Sequence, residues 1–384
     1  MQLQYQYAET DADGYTFKTG NRANIFEQEE LKNFGRLGIR RGRVKFVFED
    51  GLVQTAFQTN ITEKGVSVVD AYLNVKDPWL GTNKFKAGIF EMPFGHEVAY
   101  SASLHESPER SRIIQSLFPD ECDIGAMLTL QAAEASPWHI LKIETGLFAG
   151  NGIRPQIDSR MDFVGHLTAT RKIGTNTTVS GGISTFLGGM VQRDSSVYTV
   201  NDHAFALESK SASNIGKYAK RQYIGLDGQL CMNTAAGITR VRAEYISGKH
   251  PGNASCAYGF KYNAMESKEP VYMRKISGGY VMLAQALGRS PFMAVAKYDW
   301  YNPNTEIKGN HIDSKGEIAM RNYGFGFVWS VYQGLKMTAY YNIIRNETTD
   351  KLQHTTDTSG KITAYGYESD RKDNVFTLRL QYKF

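Results

Sequence analysis

Long apolar runs are absent from this sequence of 384 residues. A membrane-spanning helix needs about 20 consecutive, mostly apolar residues, and no window approaches that length, so helical membrane proteins are excluded. Proline is scarce, with 10 residues, whereas tyrosine (22), phenylalanine (20) and glycine (37) are abundant. Aromatic enrichment favours β-strands, and the glycines suit turns and crowded positions in curved strands.

Motifs for catalysis, cofactors or metals are also missing. The three cysteines, Cys122, Cys231 and Cys256, are too few and too scattered for a disulfide framework or a CxxC metal site. The eight histidines form no HExxH pattern, no serine lies in a GxSxG elbow, and the glycines form no phosphate-binding or dinucleotide-binding fingerprint. We therefore expect no enzyme, cofactor or bound metal, with a catalytic group at a loop rim as a minor alternative.

The charge pattern does not favour nucleic acid. Lys and Arg (44) exceed Asp and Glu (39), which gives a net charge of +5, but the basic residues are spread along the chain instead of forming runs. No basic and apolar leader follows Met1, so we expect any export signal to have been removed or replaced by a start codon.

The last ten residues, VFTLRLQYKF, predict a strand whose two faces lie in different solvents. One face is aromatic and aliphatic, and the other is polar and charged. Such alternation suits a strand of an outer-membrane barrel, which contacts lipid on one side and water on the other. A secreted β-sandwich is the alternative, and it would be soluble without detergent. The apolar face comprises Phe376, Leu378, Leu380, Tyr382 and Phe384, and the polar face Thr377, Arg379, Gln381 and Lys383.

Similar segments recur along the whole chain and predict an all-β fold. We expect a single domain over 1–384, a transmembrane antiparallel up-and-down barrel of about 16 strands with both ends in the periplasm. Short turns are expected at 49–51, 76–83, 133–137, 172–176, 231–234, 287–290 and 332–334. Longer connections are expected at 10–34, 92–122, 190–216, 249–273, 303–316 and 346–371, with briefer ones at 62–65 and 149–160.

The same alternation directs many cationic side chains toward the barrel interior. A charge on the lipid face near the midplane would cost about 2 to 4 kcal/mol. Two interpretations stay open: these cations form an electrostatic rail for anions, or they pair with carboxylates on neighbouring strands. The predicted pore-lining residues are Arg41, Arg43, Lys45, Lys84, Lys86, Lys142, Arg240, Arg242, Lys297, Lys336 and Arg379.

The connection 92–122 differs from the other loops because it carries a helix signal. Ser107 suits an N-cap, Pro108 the first helical position, and Pro119 a stop. The residues Ile113, Ile114, Leu117 and Phe118 would then share one apolar face, opposite Arg112 and Gln115. We expect this segment to fold into the barrel and narrow it. The alternative is an outward loop that covers the mouth or packs on a neighbouring subunit.

In the inward arrangement, the polar residues of the segment set the local field of the constriction. Opposite signs lie side by side there, which predicts a transverse field instead of strong charge selectivity. The predicted constriction residues are Glu106, Glu109, Arg110, Arg112 and Gln115.

Four motifs in the first third of the chain resemble the phosphate-selective porin O and P family. They are RRGRVKF at 40–46, DAYL at 70–73, KAGIFEMPFGHE at 86–97 and ERS at 109–111. The resemblance implies a 16-stranded outer-membrane barrel, usually a trimer, whose lumen carries cationic ladders leading to a narrow waist. It assigns the cationic motif positions Arg41, Arg43, Lys84 and Lys86 to the lumen.

Together these features predict a passive outer-membrane porin for small hydrophilic solutes with a mild anion preference. We expect a homotrimer in the outer membrane of a Gram-negative bacterium, surrounded by lipid and lipopolysaccharide. The alternative is a barrel that assembles with another envelope protein through its long loops at 190–216, 249–273 and 346–371.

Overall fold

Antiparallel strands dominate the fold, as the aromatic composition and the period-two alternation predict. The structure is a computed structural model that describes residues 1–12, 17–19, 33–156, 158–255, 268–356, 358 and 362–384. Within these residues, no helix is both long and apolar enough to cross a membrane. The positions of Cys256 and of most of the predicted 10–34 connection lie outside the described residues.

The first half of the chain contributes ten strands and one short α-helix. They are β1 (Gln2–Ala8), β2 (Phe34–Arg41), β3 (Arg43–Asp50), β4 (Val53–Thr62), β5 (Gly65–Lys76), β6 (Lys84–Glu91), α1 (Arg112–Leu117), β7 (Cys122–Gln131), β8 (Leu141–Phe148), β9 (Asp162–Ile173) and β10 (Thr177–Val191).

The second half contributes the remaining strands that the structure describes. They are β11 (Ser196–Asn201), β12 (Ala204–Lys210), β13 (Tyr218–Thr234), β14 (Gly237–Gly252), β15 (Val271–Ala286), β16 (Phe292–Asn302), β17 (Met320–Tyr332), β18 (Leu335–Asn346), β19 (Thr355–Thr356), β20 (Ile362–Ala364) and β21 (Val375–Tyr382). Single 3₁₀ turns lie at Pro137–Ile140, Ala212–Asn214, Gly309–His311 and Lys315–Glu317.

The strands close into a ring with 16 positions. Nineteen strands form one sheet, in which β1 pairs with both β2 and β21 and so joins the two ends of the chain. Counting β2 and β3 as one strand interrupted at Gly42, and setting aside the hairpin β11–β12, leaves 16 strands around the ring. The predicted antiparallel barrel of about 16 strands is confirmed.

Side chains alternate between the two faces of the wall. In β21, Leu378 is 37% exposed on the outer face, whereas its neighbour Arg379 is 4% exposed on the inner face. The same alternation places Phe325 and Phe327 of β17 outside and Asn322 inside. Polar and charged groups therefore collect within the ring, and an apolar belt surrounds it.

Some predicted boundaries were wrong. The turn predicted at 231–234 lies within β13, which runs to Thr234, and the connection to β14 is at 235–236. The connection 190–216 contains the hairpin β11–β12, whose tip residues Asp202 and His203 have positive φ. The 346–371 connection contains the small pair β19–β20. These long connections gather at one end of the barrel, the long-loop end.

Candidate functional site: a segment folded inside the barrel

Residues 92–121, between β6 and β7, turn into the ring and cross its interior. The Gly95 N–H donates to Ser184 Oγ of β10 (2.8 Å), whereas the Ala102 carbonyl accepts from Gln2 of β1 (3.3 Å) and the Ser103 carbonyl from Lys336 of β18 (3.1 Å). These strands lie in different parts of the wall. The predicted inward fold of this segment, here called the inner segment, is confirmed.

The apolar side of the inner segment packs against the wall from β7 to β16. The Phe118 ring lies 5.0 Å from the Phe94 ring within the segment and 6.0 Å from Phe186 of β10. Two wall glycines allow this approach, because a Cβ at Gly225 or Gly278 would lie about 3 Å from Phe94 or Ile113, respectively. The result is a buried apolar cluster inside the barrel at the base of the segment.

The helix in the inner segment begins later than predicted. Ser111, not Ser107, precedes α1, and Pro108 lies outside it. Arg112 was predicted to face the lumen, but it is 2% exposed, and its backbone N–H donates to Asp299 of β16 (2.9 Å). The predictions of Ser107 as the cap and of Arg112 as a polar constriction residue are wrong. The reason is that residues 108–111 leave the helical path to reach the wall.

Glu109 is the centre of the polar contacts on the opposite wall. Its carboxylate lies 2.8 Å from Arg40, 3.8 Å from Arg41 and 2.7 Å from Arg379. Burial disfavours the charged carboxylate, but these guanidinium groups outweigh that effect and hold the pKa of Glu109 well below its usual range. The contact joins β2 and β21 to the inner segment.

Glu121 forms a second anchor at the end of the segment. It contacts Arg110 of the same segment, Arg43 of β3 (3.6 Å) and Arg41 of β2 (3.9 Å). The guanidinium of Arg110 also donates to the Glu97 carbonyl (2.8 Å). Arg110, which was predicted to line the constriction, therefore ties the two ends of the inner segment together.

Glu106 and Glu97 anchor the segment to β14 and β16. Glu106 lies 2.6 Å from Arg242 and 3.7 Å from Arg240. Glu97 lies 2.5 Å from Lys297 and also accepts from the Ser111 N–H (2.8 Å). Each contact replaces a solvated charge by a partly buried ion pair, so the wall and the segment neutralise each other.

The remaining predicted residues are placed differently. Lys336 donates to the carbonyls of Ser103 and His105, both at 3.1 Å, and Gln115 donates to the Arg110 carbonyl (2.7 Å). Two further cations pair within the wall, Lys45 with Asp70 (2.9 Å) and Lys142 with Glu144 (2.8 Å).

Lys84 and Lys86 differ from the other predicted pore-lining cations. In the described part of the chain, neither lies within 4 Å of a carboxylate. The Lys86 ammonium lies 4.7 Å from the Tyr72 ring centre and 5.2 Å from that of Phe90. The geometry therefore divides the predicted pore-lining cations into three groups: those that fix the inner segment, Lys45 and Lys142, which pair with carboxylates of the wall, and Lys84 and Lys86, which have neither kind of partner within 4 Å among the described residues.

Sequence reasoning missed three anchoring residues. Arg40, Glu97 and Glu121 were not among the predicted site residues, although they make some of the shortest contacts. Arg40 and Glu97 lie within the motifs at 40–46 and 86–97, which was the available signal. Glu121 lies where the segment joins β7, and no pattern in the sequence marks it.

His96 is a titratable group of the inner segment whose pKa is affected by nearby charges of both signs. Burial, together with the nearby Arg242, lowers the pKa of His96 to about 4, although Asp227, Glu97 and Glu106 act in the opposite direction. A neutral imidazole therefore belongs to the folded arrangement at neutral pH. Its protonation disfavours the seated segment as the pH falls from about 6.5 toward 4.

One group of potential metal ligands lies beside the inner segment. Asp70, Glu91 and Cys122 place their ligand atoms within 4.8 Å of one another, and no second group of this kind occurs among the described residues. Lys45 lies 2.9 Å from Asp70. That ammonium offsets the charge of Asp70, one of the two carboxylates.

Solved structures of outer-membrane proteins share this fold. The channel DcaP of Acinetobacter baumannii superposes with a TM-score of 0.55 at 9% identity, covering 100% of this chain and 95% of that one. An anion-selective porin from Comamonas acidovorans gives 0.54 at 10% identity, covering 100% and 99%. OmpT of Vibrio cholerae, in a trimer form, gives 0.51 at 10% identity, covering 100% and 97%.

No protein-family model matches the chain, and no curated protein sequence matches it. At identities near 10% the structural matches show the fold alone. The chain therefore has the fold of outer-membrane porins and channels, and the resemblance to the phosphate-selective O and P family stays a prediction.

Proposed function

We propose that the protein is a passive diffusion channel for small hydrophilic solutes in the outer membrane of a Gram-negative bacterium. The observation that carries the proposal is the inner segment, which crosses a ring whose inner face carries the buried charged groups and whose exterior is apolar. A wall of that kind separates lipid from water, and a segment fixed across it narrows the water-filled side. The mechanism is physical, and we assign no enzymatic step to it.

A mild anion preference follows from the distribution of paired charges. Arg41, Arg43, Arg242, Lys297 and Arg379 contact carboxylates of the inner segment, so their charge is largely compensated. Lys84 and Lys86 on β6 keep their charge facing the interior, and Lys336 is bound only to neutral carbonyls. A few uncompensated cations raise the local anion concentration without binding one ion tightly.

The proposal includes a homotrimer surrounded by lipid and lipopolysaccharide. The apolar outer belt supports membrane placement, and a porin-like fold in a trimer form supports the assembly state. An alternative assembly role would need a loop surface for an envelope partner. The described long loops instead bury their apolar side chains together, including Ile307, Ile312, Ile318 and Tyr367, which favours the channel.

The reversal potential in a planar bilayer under a potassium chloride gradient tests this proposal. We expect the wild-type protein to conduct with a small anion bias, and Lys84→Gln/Lys86→Gln to lose most of that bias while still conducting. The matched control is Lys64→Gln/Lys351→Gln, which removes two exposed loop charges and should leave the potential unchanged. Absence of conductance would refute the channel, and a cation bias in the wild-type protein would refute the anion preference.

A further inference from the structure

The outer wall at the long-loop end carries lysines immediately above the apolar belt. Ile224 of β13 faces outward and is 60% exposed. The next outward residue on that strand, Gln222, pairs with Lys249 of β14, which pairs with Lys275 of β15. Lys220 is the following outward position. The lysines therefore begin about 7 Å above the last belt residue, at a rise of about 3.3 Å per residue.

The hairpin β11–β12 forms a roof over these lysines. Val197 pairs in parallel with Val271 at the start of β15, and the Tyr198 ring stacks on Tyr272 with 4.6 Å between ring centres. A cavity of about 470 Å³ lies between the hairpin and the wall. Its lining includes Lys220, Lys249 and Lys275 from the wall, and Thr199, Glu208 and Ser209 from the hairpin.

The charge of the cavity is positive after its ion pairs are counted. Lys275 is compensated by Glu306 at 2.7 Å. Within the described residues, Lys220 and Lys249 have no carboxylate within 4 Å, and Glu208 is the remaining acidic group of the lining. Lys220 lies two positions from Gln222, the partner of Lys249, so the two lysines are diagonal neighbours about 7 to 8 Å apart. That spacing allows both ammonium groups to contact one phosphate.

We propose that this cavity, here called the rim site, binds a phosphate group, with the phosphorylated headgroup of a membrane glycolipid as its source. Ammonium groups at headgroup depth attract anionic lipids, and hydroxyl groups of Thr199 and Ser209 add hydrogen-bond donors. Ile224 below the lysines offers an apolar surface for an acyl chain. Free phosphate would satisfy the same donors without using that surface.

The rim site rests on the membrane placement in the proposed function but not on conduction, because it lies outside the ring. Its test uses the purified full chain in detergent micelles. Native mass spectrometry would measure retention of lipid A, a diphosphorylated acylated disaccharide, against its dephosphorylated form. Calorimetric titration with inorganic phosphate forms the second arm. The variants are Lys220→Gln/Lys249→Gln and the control Lys64→Gln/Lys351→Gln, each verified as folded by heat-modifiable gel migration.

We expect the wild-type protein and the control to retain the phosphorylated lipid, and the Lys220→Gln/Lys249→Gln variant to retain at least tenfold less. Binding of inorganic phosphate alone, lost in the same variant, would assign the site to a free anion. Equal retention of both lipid forms, or equal binding by all variants in both arms, would overturn the rim site. Conductance of the rim variant should equal that of the wild type, which separates this outcome from the channel proposal.

Discussion

A single residue, Gly95, allows the inner segment to lie against β14. Its φ is 60°, in the left-handed region, and a Cβ there would overlap the Glu244 carboxylate. That carboxylate accepts the Glu97 N–H at 3.0 Å. The position therefore combines a backbone requirement with a close approach, which are the two reasons that favour glycine.

Gly95→Ala should consequently destabilise the seated segment. We expect the free energy of unfolding to fall by about 1 to 3 kcal/mol, the cost of left-handed backbone at a residue with a Cβ. Thermal unfolding in detergent measures it. Gly228→Ala is the matched control, since a Cβ there meets no atom within 4 Å. Equal effects of the two substitutions would contradict the close packing at Gly95.

Residue orientation was predictable from the sequence, but residue pairing was not. The period-two alternation placed Arg379 and Lys297 inside, because successive strand side chains point to opposite faces. The partners, Glu109 and Glu97, are 270 and 200 positions away in the sequence. Such pairs depend on how the inner segment crosses the ring, which no local pattern specifies.

At the scale of the element, Glu109 holds the inner segment against β2 and β21. Glu109→Gln should leave Arg379, whose side chain is 4% exposed, without its carboxylate. Removing one partner of a buried ion pair costs about 3 to 5 kcal/mol. We expect a lower unfolding temperature and faster proteolytic cleavage within 92–121, both measured in detergent.

Glu134→Gln serves as the control for Glu109→Gln, because Glu134 is exposed in a short turn. The pH dependence provides a second check. A carboxyl group whose pKa is depressed on folding stabilises the fold above its unfolded pKa, and this contribution is lost only as the pH falls through the folded value. The wild-type protein should therefore be cleaved more slowly within the segment than the Glu109→Gln variant at pH 5 as well as at pH 7. Identical cleavage of Glu109→Gln and Glu134→Gln would contradict the anchor.

Element boundaries show where sequence patterns are insufficient. The N-cap and proline signals at Ser107 and Pro108 were sound local signals, yet α1 begins at Arg112 because Glu109 and Arg110 are drawn to the wall and to Glu121. Ion pairing over long sequence distances overrode local propensity there. The sequence pattern also missed the hairpin β11–β12. Part of this hairpin is stabilised by parallel pairing with β15, which is distant in the sequence.

The whole ring was predictable because it is built from local hairpins. Among the described strands, each strand of the ring pairs with a sequence neighbour, apart from the closure through β1 and the bypasses of β11–β12 and β19–β20. Counting alternating segments therefore sufficed to predict about 16 strands. Closure through β1 leaves neither end strand of the sheet with an unpaired edge, as a barrel that spans a membrane requires.

The central claim is that the inner segment narrows a water-filled barrel, and single-channel conductance tests it most directly. Residues 99–108 would be replaced by a short Gly-Ser linker, and folding would be checked by heat-modifiable migration. We expect a stable channel whose conductance is several times that of the wild-type protein. A folded variant whose conductance equals the wild-type value would show that the segment does not lie in the conduction path, and would contradict the account.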